Sequence, residues 1–418
     1  MITSNPWSLS KKILFRFYFL WLSLSTLKCV ILLFSRAFGF RNSAGFYKNF
    51  SPLFRWMDYY IFHSGYNPVK HIASPEDNHF GVVFYLTISL VSVVGAIVWT
   101  VVGRKTQEYY RARYWFRLYL SYVLALVLFF YGIDKVVPVQ MPYPRIAALL
   151  TPVGENSRYS LFWSVMGLSP GYMIMTGLFE VAASFLLMNK RTRVFGYLLA
   201  TVVLTNVVAL NIFYNVPVKM FSMLLLLYAI FLLYPYIRTL GAYFLSNNTS
   251  SLAEKKYRFQ NQWKNKILFL VLFAVPLILF SLQTPSELSR YKAYQKIRNS
   301  EKIYDINTFI SKDTLPPLLT DTLRWKRLLF SGRNEVVIIN MQDARDSYQF
   351  DVDSNKKTIT FHDNPDTLTW HVFQYTYPAS DQYSLTGHWK GRPVNIFMKS
   401  FPIGNLRLNK EKITLVND

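Results

Sequence analysis

The hydrophobic helices between residues 118 and 238 keep six polar or charged side chains inside or at the edges of their apolar runs, and side chains of these types can bind a polar ligand or move a proton. An ionisable side chain near the centre of a bilayer costs several kcal/mol, so it persists mainly where it pairs with another group or lines a pathway. The pattern therefore predicts a polar site inside a membrane. The candidates for acid–base catalysis are Lys135, Glu180 and Lys219, and the candidates for contact with a cofactor are Asp134, Asn206 and Asn211.

The composition supports the assignment to a membrane. Hydrophobic residues make up 52% of the 418 residues, and Phe80–Val102 contains no charged side chain. A run of roughly 20 apolar residues is enough to cross the hydrocarbon core. By this criterion the sequence predicts an α-helical polytopic membrane protein with about seven spans, at residues 14–35, 80–102, 118–138, 170–188, 194–214, 218–237 and 266–282.

The net charge of +23 is concentrated in the predicted membrane region. Residues 1–282 carry 27 Lys and Arg against 8 Asp and Glu, a net charge of +19, whereas residues 283–418 carry 19 against 15, a net charge of +4. Cations in loops orient membrane helices and meet anionic lipid head groups. The charge therefore indicates the lipid bilayer as a partner and argues against nucleic acid.

The basic residues also predict an orientation. They precede the first span at Lys11 and Lys12, and they fill the connections at residues 104–117, 190–193 and 238–266, which are alternate connections along the chain. Such residues stay on the cytoplasmic side of a membrane. We therefore expect a multi-pass protein of the bacterial cytoplasmic (inner) membrane, with a cytoplasmic N-terminus and an extracytoplasmic C-terminal domain.

After residue 282 the sequence changes to short alternating runs separated by turn residues, which predict a small antiparallel all-β domain. A linker-like helix at Ser286–Glu301 precedes them. The predicted strands lie at residues 335–341, 347–353, 357–362, 368–375, 382–387 and 393–398.

Three regions follow from these patterns. Residues 1–110 form an N-terminal membrane region with two helices and an outer loop, and residues 111–282 form a helical bundle with a following span. Residues 283–418 form the extracytoplasmic β domain with its helical linker.

The predicted orientation brings the polar residues to similar depths. At a rise of ~1.5 Å per residue, Glu180 lies near the middle of its span, and Lys135 and Lys219 lie near the outer ends of theirs. In an antiparallel bundle these side chains can converge on one cavity in the outer half of the membrane. Glu180 can then pair with Lys135 or with Lys219. The alternative is an ion pair that only fixes the bundle, with lysines that extend to the lipid head groups.

Four short motifs, within about residues 112–240, resemble the DoxX-like family of four-helix membrane proteins. The motifs are Tyr131-Gly-Ile-Asp-Lys-Val, Gly177-Leu-Phe-Glu-Val-Ala-Ala, Lys190-Arg-Thr-Arg-Val-Phe-Gly and the segment from Asn206 to Lys219. The extra helices and the β tail are similar to longer bacterial members of that family. The resemblance makes Lys135, Glu180, Asn206 and Lys219 the family-like polar positions, without assigning them a catalytic role.

The resemblance also implies a function. Some relatives are subunits of quinone-linked oxidoreductases, which implies an accessory or anchoring subunit of a quinone-linked or other membrane redox complex, with a quinone as cofactor. Two alternatives stay open. One is a non-catalytic protein that binds or transports a lipid or small molecule and presents its β domain to envelope proteins. The other is a gamma-carboxylase-like enzyme with Lys135 or Lys219 as the base.

Other cofactors are not indicated by the sequence. Haem or a helical metal site needs His at spacings of three or four residues, and the six His have no such spacing within the predicted spans. The single Cys29 cannot form a Cys-x-x-Cys relay. We therefore expect no haem and no structural metal.

Overall fold

The computed structural model describes residues 7–37, 52–63, 77–246, 262–332, 334–362, 370–379 and 381–410. The chain divides into two compact units. One unit comprises Met1–Met141 and Ser157–Leu288, and the other comprises Pro142–Asn156 and Ser289–Asp418. Most of the predicted loop at residues 37–78, and the basic residues Lys255, Lys256 and Arg258, lie outside the described residues.

The first unit is built from long helices. Six of them are long and apolar enough to cross a membrane in the described part of the chain, so the protein is a multi-pass membrane protein. The helices of ten residues or more are α1 (Leu9–Ala37), α2 (His79–Val102), α3 (Tyr110–Val136), α4 (Arg158–Leu168), α5 (Pro170–Met188), α6 (Arg193–Phe213), α7 (Lys219–Leu233), α8 (Ile237–Ser246) and α9 (Gln262–Ser300).

The six candidate spans match the first six predicted ones. They are α1, α2, α3, α5, α6 and the continuous stretch Lys219–Tyr243. The seventh predicted span, residues 266–282, lies within α9, of which many side chains are not described. The total of seven therefore stays a prediction.

The sixth span contains one interruption of its α-helical geometry. Helix α7 ends at Leu233, and Tyr234–Tyr236 forms a 3-10 turn. Pro235 lies in that turn, and proline removes a donor and clashes with the preceding helical turn.

Helices α3 and α5 touch through two glycines. A Cβ atom on Gly177 would lie 2.7 Å from the carbonyl oxygen of Gly132, and a Cβ atom on Gly132 would lie 2.9 Å from the carbonyl oxygen of Gly177. Small residues at such a crossing let two helix backbones approach closely within a membrane. The contact fixes the crossing point of these helices.

Three buried arginines each link the start of one helix to the end of another. They lie near the starts of α1, α3 and α6, and they donate to carbonyl groups at the ends of α2, α7 and α5. A cation at a helix C-terminus satisfies free carbonyls and interacts favourably with the helix dipole. We call these contacts the basic end of the unit. The bonds are Arg16 Nη2 to Gly103 O (2.9 Å), Arg117 Nη2 to Leu232 O (2.7 Å) and Arg193 Nε to Leu187 O (3.1 Å).

The second unit is a closed antiparallel β-barrel of eight strands. Strands β1 and β3 to β9 pair in that order, and β9 pairs back to β1. The short β2 pairs with the end of β1. The strands are β1 (Lys302–Ser311), β2 (Asp313–Thr314), β3 (Trp325–Ser331), β4 (Glu335–Asn340), β5 (Arg345–Asp353), β6 (Thr358–His362), β7 (Trp370–Ala379), β8 (Gln382–Trp389) and β9 (Arg392–Phe401).

Aromatic side chains fill the barrel. Trp325 and Trp389 are buried, with ring centroids 4.9 Å apart, and Phe309, Phe361 and Phe373 belong to the same core. An eight-stranded barrel is just wide enough for side chains to fill its interior. The barrel is therefore held by its packed aromatic core.

The sequence predicted β4 to β9 but not the first three strands. The sequence prediction has no strand in residues 302–331, where the structure has β1, β2 and β3. Strand β1 completes the barrel by pairing with β9, so that Ile303 lies opposite Phe401, far away in the sequence. Such a pairing is decided by closure of the sheet and not by local pattern.

The connection Pro142–Asn156 is part of the barrel unit. Ile146 packs with Leu329 and Val337 of the barrel. The guanidinium of Arg345 donates to Ala147 O at 3.2 Å, and also to Leu150 O and to Thr151 Oγ1. A segment predicted as a simple loop of the membrane bundle thus packs on the strands.

Replacing Gly177 by Ala tests the α3–α5 contact. The added methyl group would clash with backbone and with Lys135 Cβ at 2.7 Å, and overpacking of this kind costs about 1–3 kcal/mol. We expect a lower thermal unfolding temperature in detergent. Gly171→Ala in the same helix is the matched control, because its new Cβ meets nothing within 4 Å. Equal stability of the two variants would contradict the close contact.

The buried carboxyl of Glu301 leads us to expect that the free energy of unfolding of the barrel unit depends on pH. Burial raises the pKa of this carboxyl above its ordinary value of 4.5, although it accepts a hydrogen bond from Ile146 N at 3.3 Å. The folded state then binds the proton more tightly than the unfolded chain, so the free energy of unfolding falls as the pH rises from about 4.5 through the raised pKa.

Glu301→Gln keeps an acceptor for Ile146 N–H and cannot ionise. We expect the variant to melt at a higher temperature than the wild type at pH 7.5, with a smaller difference at pH 4. Melting is followed by the amide I infrared band of β-sheet in the full chain. Glu335→Gln, at a carboxylate whose side chain is 35% exposed, is the control. A pH-independent effect of Glu301→Gln would be evidence against this role of burial.

Candidate functional site

Lys135 and Glu180 form a buried ion pair between α3 and α5. Lys135 Nζ donates to Glu180 Oε1, and the two residues are 7% and 3% exposed. Lys135 follows Gly132 by three residues and Glu180 follows Gly177 by three residues, so each side chain lies one helical turn from the glycine contact. The close approach of the backbones thus brings the two charges together.

The pair lies in the wall of a cavity of about 420 Å³. The cavity is enclosed by parts of α3, α4, α5, α6 and α7, together with the segments that follow α3 and α6. Its walls are mostly apolar. The lining includes Leu128, Tyr131, Met141, Phe162, Trp163, Met166, Tyr172, Met175, Phe179, Leu199, Val202, Val203, Leu204, Val207, Leu210, Val216, Val218, Phe221 and Leu225.

Other polar residues share this wall. Asn206 and Asn211 of α6 both line the cavity, as predicted for residues that contact a cofactor, together with Gln140 and Ser222. Asn211 is buried, whereas Asn206 is exposed on the surface of the unit. The sequence prediction of one polar cavity therefore has a geometric counterpart built from Lys135, Glu180 and the two asparagines.

The cavity has an exposed side between α5 and α6. Tyr172, Met175 and Phe179 of α5, and Val202 of α6, line the cavity and are each about half exposed. Near the turn that joins these helices they are in close contact, since a Cβ on Gly196 would lie 2.8 Å from Leu187 N. The exposed cavity residues therefore lie away from that turn, on the apolar outer surface of the two helices.

Two buried oxygen atoms next to the cavity have no hydrogen-bond partner among the described residues. They are Oε2 of Glu180 and Oε1 of Gln140. A buried acceptor without a partner carries a desolvation cost of about 1–3 kcal/mol. The site therefore has unused capacity to accept hydrogen bonds.

Asp134 is adjacent to Lys135 in sequence but does not line the cavity. Its carboxylate accepts from Arg36 Nη1 of α1 at 2.6 Å and from Gln283 Nε2 of α9 at 3.3 Å. Its backbone carbonyl accepts from the N–H groups of Val139 and Gln140, each at 3.0 Å. The prediction that Asp134 contacts a cofactor is thus not supported by its position, because the residue instead joins three helices.

Lys219 is also away from Glu180, and the alternative Glu180–Lys219 pair does not form. Lys219 Nζ lies 3.4 Å from Asp77 Oδ2. The same carboxylate accepts from the backbone N–H groups of Lys219 (2.6 Å) and Met220 (2.9 Å), so it caps the start of α7. Lys219 therefore lies at the start of α7 and does not line the cavity. Phe221 and Ser222 of the same helix do line it.

Sequence reasoning did not find Arg36, Asp77, Gln140 or Gln283. Arg36 had a usable signal, because an arginine at the end of a predicted span needs an acceptor, and Asp134 lies near the end of another outward span. Asp77 had a weaker signal, since it precedes Asn78, whose side chain caps α2 by accepting from Gly81 N at 2.8 Å. Neither signal specifies which helix the partner belongs to.

Comparison with known proteins gave no match to a family model, to a curated protein or to a solved structure.

A double-mutant cycle tests the Lys135–Glu180 pair. Removing one partner leaves a buried charge without compensation, which costs about 3–5 kcal/mol, whereas removing both costs much less. We therefore expect Lys135→Met and Glu180→Met each to destabilise the protein strongly, and the double variant to recover most of the loss. The measurement is reversible unfolding in mixed micelles with increasing SDS.

Lys219→Met is the control for this cycle, because its partner is Asp77 and its side chain is 27% exposed. Its own effect is expected to be at most about 1 kcal/mol, and it is expected to add independently to the effect of Glu180→Met. Additive losses for Lys135→Met and Glu180→Met would contradict the pair.

Proposed function

We propose that the helical unit binds a lipophilic molecule of the quinone class, and that the chain is an accessory or anchoring subunit of a membrane redox complex. The observation that carries this proposal is the apolar cavity that opens sideways between α5 and α6 and has the buried Lys135–Glu180 pair in its wall. Its volume of about 420 Å³ falls within the range of small-molecule sites, which are mostly apolar with a few polar groups.

The sideways opening favours a ligand that is dissolved in the bilayer. Exposed cavity residues on α5 and α6 are apolar or aromatic apart from Asn206. A polar ligand from water would have to cross this surface, whereas the tail of a lipophilic one can remain in contact with it. The polar head would then reach the charged pair, and the tail would lie between α5 and α6.

The charge pattern supports an orientation in the bacterial cytoplasmic membrane. Arg16, Arg117 and Arg193 gather at the basic end, and cationic connections favour the cytoplasmic side. In the proposed orientation the N-terminus is cytoplasmic, the ion pair lies in the outer half of the membrane, and the barrel unit is extracytoplasmic and available to other subunits of the complex or to envelope proteins.

A lysine-base enzyme of the gamma-carboxylase type is less well supported. A general base must present a free lone pair to its substrate. Lys135 donates to Glu180, and Lys219 lies beside Asp77. Both candidate bases are therefore already in contact with a carboxylate of the protein.

The second candidate function is a non-catalytic lipid carrier. The same opening between α5 and α6 favours it, because an acyl chain can enter a cavity with apolar walls from the bilayer. The two candidates differ in the molecule bound, so identification of the bound molecule separates them.

Filling the cavity tests the binding proposal. Wild-type protein purified in mild detergent is extracted with organic solvent, and the extract is analysed for quinones and lipids by mass spectrometry. Val207 lines the cavity, so Val207→Trp is expected to lose most of the bound quinone. Ile212→Trp, on a 45% exposed position of the same helix, is expected to retain it.

The outcomes discriminate between the two functions. A phospholipid in place of a quinone would favour the lipid carrier. Loss of ligand from both variants, or no lipophilic molecule in the wild type even after added short-chain quinone, would contradict binding in this cavity. Chemical cross-linking in membranes, followed by identification of an oxidoreductase subunit, checks the assignment to a redox complex.

A further inference from the structure

We infer that the head group taken by this cavity carries a hydroxyl, so that the site retains the hydroquinone form of its ligand in preference to the quinone. The inference rests on the proposed function, since it concerns the same cavity. It follows from the hydrogen bonds that the Lys135–Glu180 pair leaves unmade.

Only one of the two carboxylate oxygens of Glu180 accepts a hydrogen bond from a described residue. Oε1 accepts from Lys135, whereas Oε2 is buried and has no partner among the described residues. A carboxylate can accept several hydrogen bonds and has none to donate. The terminal torsion of a glutamate side chain has a broad energy profile, so rotation about it can turn Oε2 towards a molecule in the cavity that Glu180 lines.

A second acceptor lies in the same wall. Gln140 follows α3, and its Oε1 is also buried without a partner among the described residues. Two unmet acceptors on residues that line the cavity favour a ligand that donates hydrogen bonds. A quinone carries carbonyl oxygens that only accept, so it would leave both acceptors unmet.

Lys135 adds the complementary requirement. Its ammonium group has three N–H donors, of which one is directed to Glu180 Oε1. A ligand oxygen beside the pair can accept from this group while it donates to the carboxylate only if it is a hydroxyl. The hydroxyl of a phenol or hydroquinone satisfies both members of the ion pair, whereas a carbonyl satisfies Lys135 alone.

The experiment compares two oxidation states of one molecule. A benzoquinone with one isoprene unit and its two-electron-reduced hydroquinone are titrated under anaerobic conditions into the full chain in nanodiscs, with tryptophan fluorescence quenching as readout. A hydrogen bond to a charged acceptor is worth enough to change affinity by about tenfold or more. We therefore expect at least tenfold tighter binding of the hydroquinone.

Two variants test whether the Lys135–Glu180 pair causes the preference for the hydroquinone over the quinone. Glu180→Gln presents a donor as well as an acceptor, so the ratio of the hydroquinone affinity to the quinone affinity is expected to fall towards one. Because this change leaves Lys135 without its partner, Lys135→Gln with Glu180→Gln serves as the second variant, in which both charges are absent. Lys219→Met, at the residue paired with Asp77, is the control and is expected to keep the preference.

A phenol with the same isoprene unit and its methyl ether provide a comparison without redox chemistry. The phenol is expected to bind more tightly, because the ether cannot donate. The inference would be overturned if the quinone bound as tightly as the hydroquinone or more tightly, and the methyl ether bound as tightly as the phenol or more tightly. The proposed function would still stand. Binding of none of the four molecules would overturn both.

Discussion

The low polarity of a membrane interior is the constraint on which the helical unit depends. A polar group in this environment must find a partner within the protein. Lys135 pairs with Glu180, Asp134 accepts from Arg36, and the arginines of the basic end donate to free helix carbonyls. Each of these contacts joins two different helices, so the polar groups that are costly in lipid also hold neighbouring helices together.

The cavity depends on the packing of the same helices. The glycine contact at Gly132 and Gly177 places α3 against α5 and positions the ion pair one turn away. Helices α5 and α6 are in close contact near Gly196, and apolar residues that line the cavity are exposed on both helices away from that contact. The cavity therefore has charged residues on one part of its lining and exposed apolar residues on another.

The barrel unit follows a different rule. Its stability comes from an aromatic interior around Trp325 and Trp389 and from closure of β9 on β1. Side chains fill the described interior of the barrel. The segment Pro142–Asn156 packs on the strands through Ile146 and Arg345. The barrel unit is therefore built from two separate parts of the sequence, this segment and the residues from Ser289 onwards.

The sequence by itself determined the membrane character, six of the spans and the strands β4 to β9, because these depend on local hydrophobic periodicity. It also identified Lys135, Glu180, Asn206 and Asn211 as a set, because polar residues are conspicuous in apolar runs. Only the tertiary structure decided that Glu180 pairs with Lys135 and that Lys219 turns to Asp77. Both lysines carry the same charge at similar predicted depths, so the choice depends on which helices cross, and that depends on packing between residues distant in sequence.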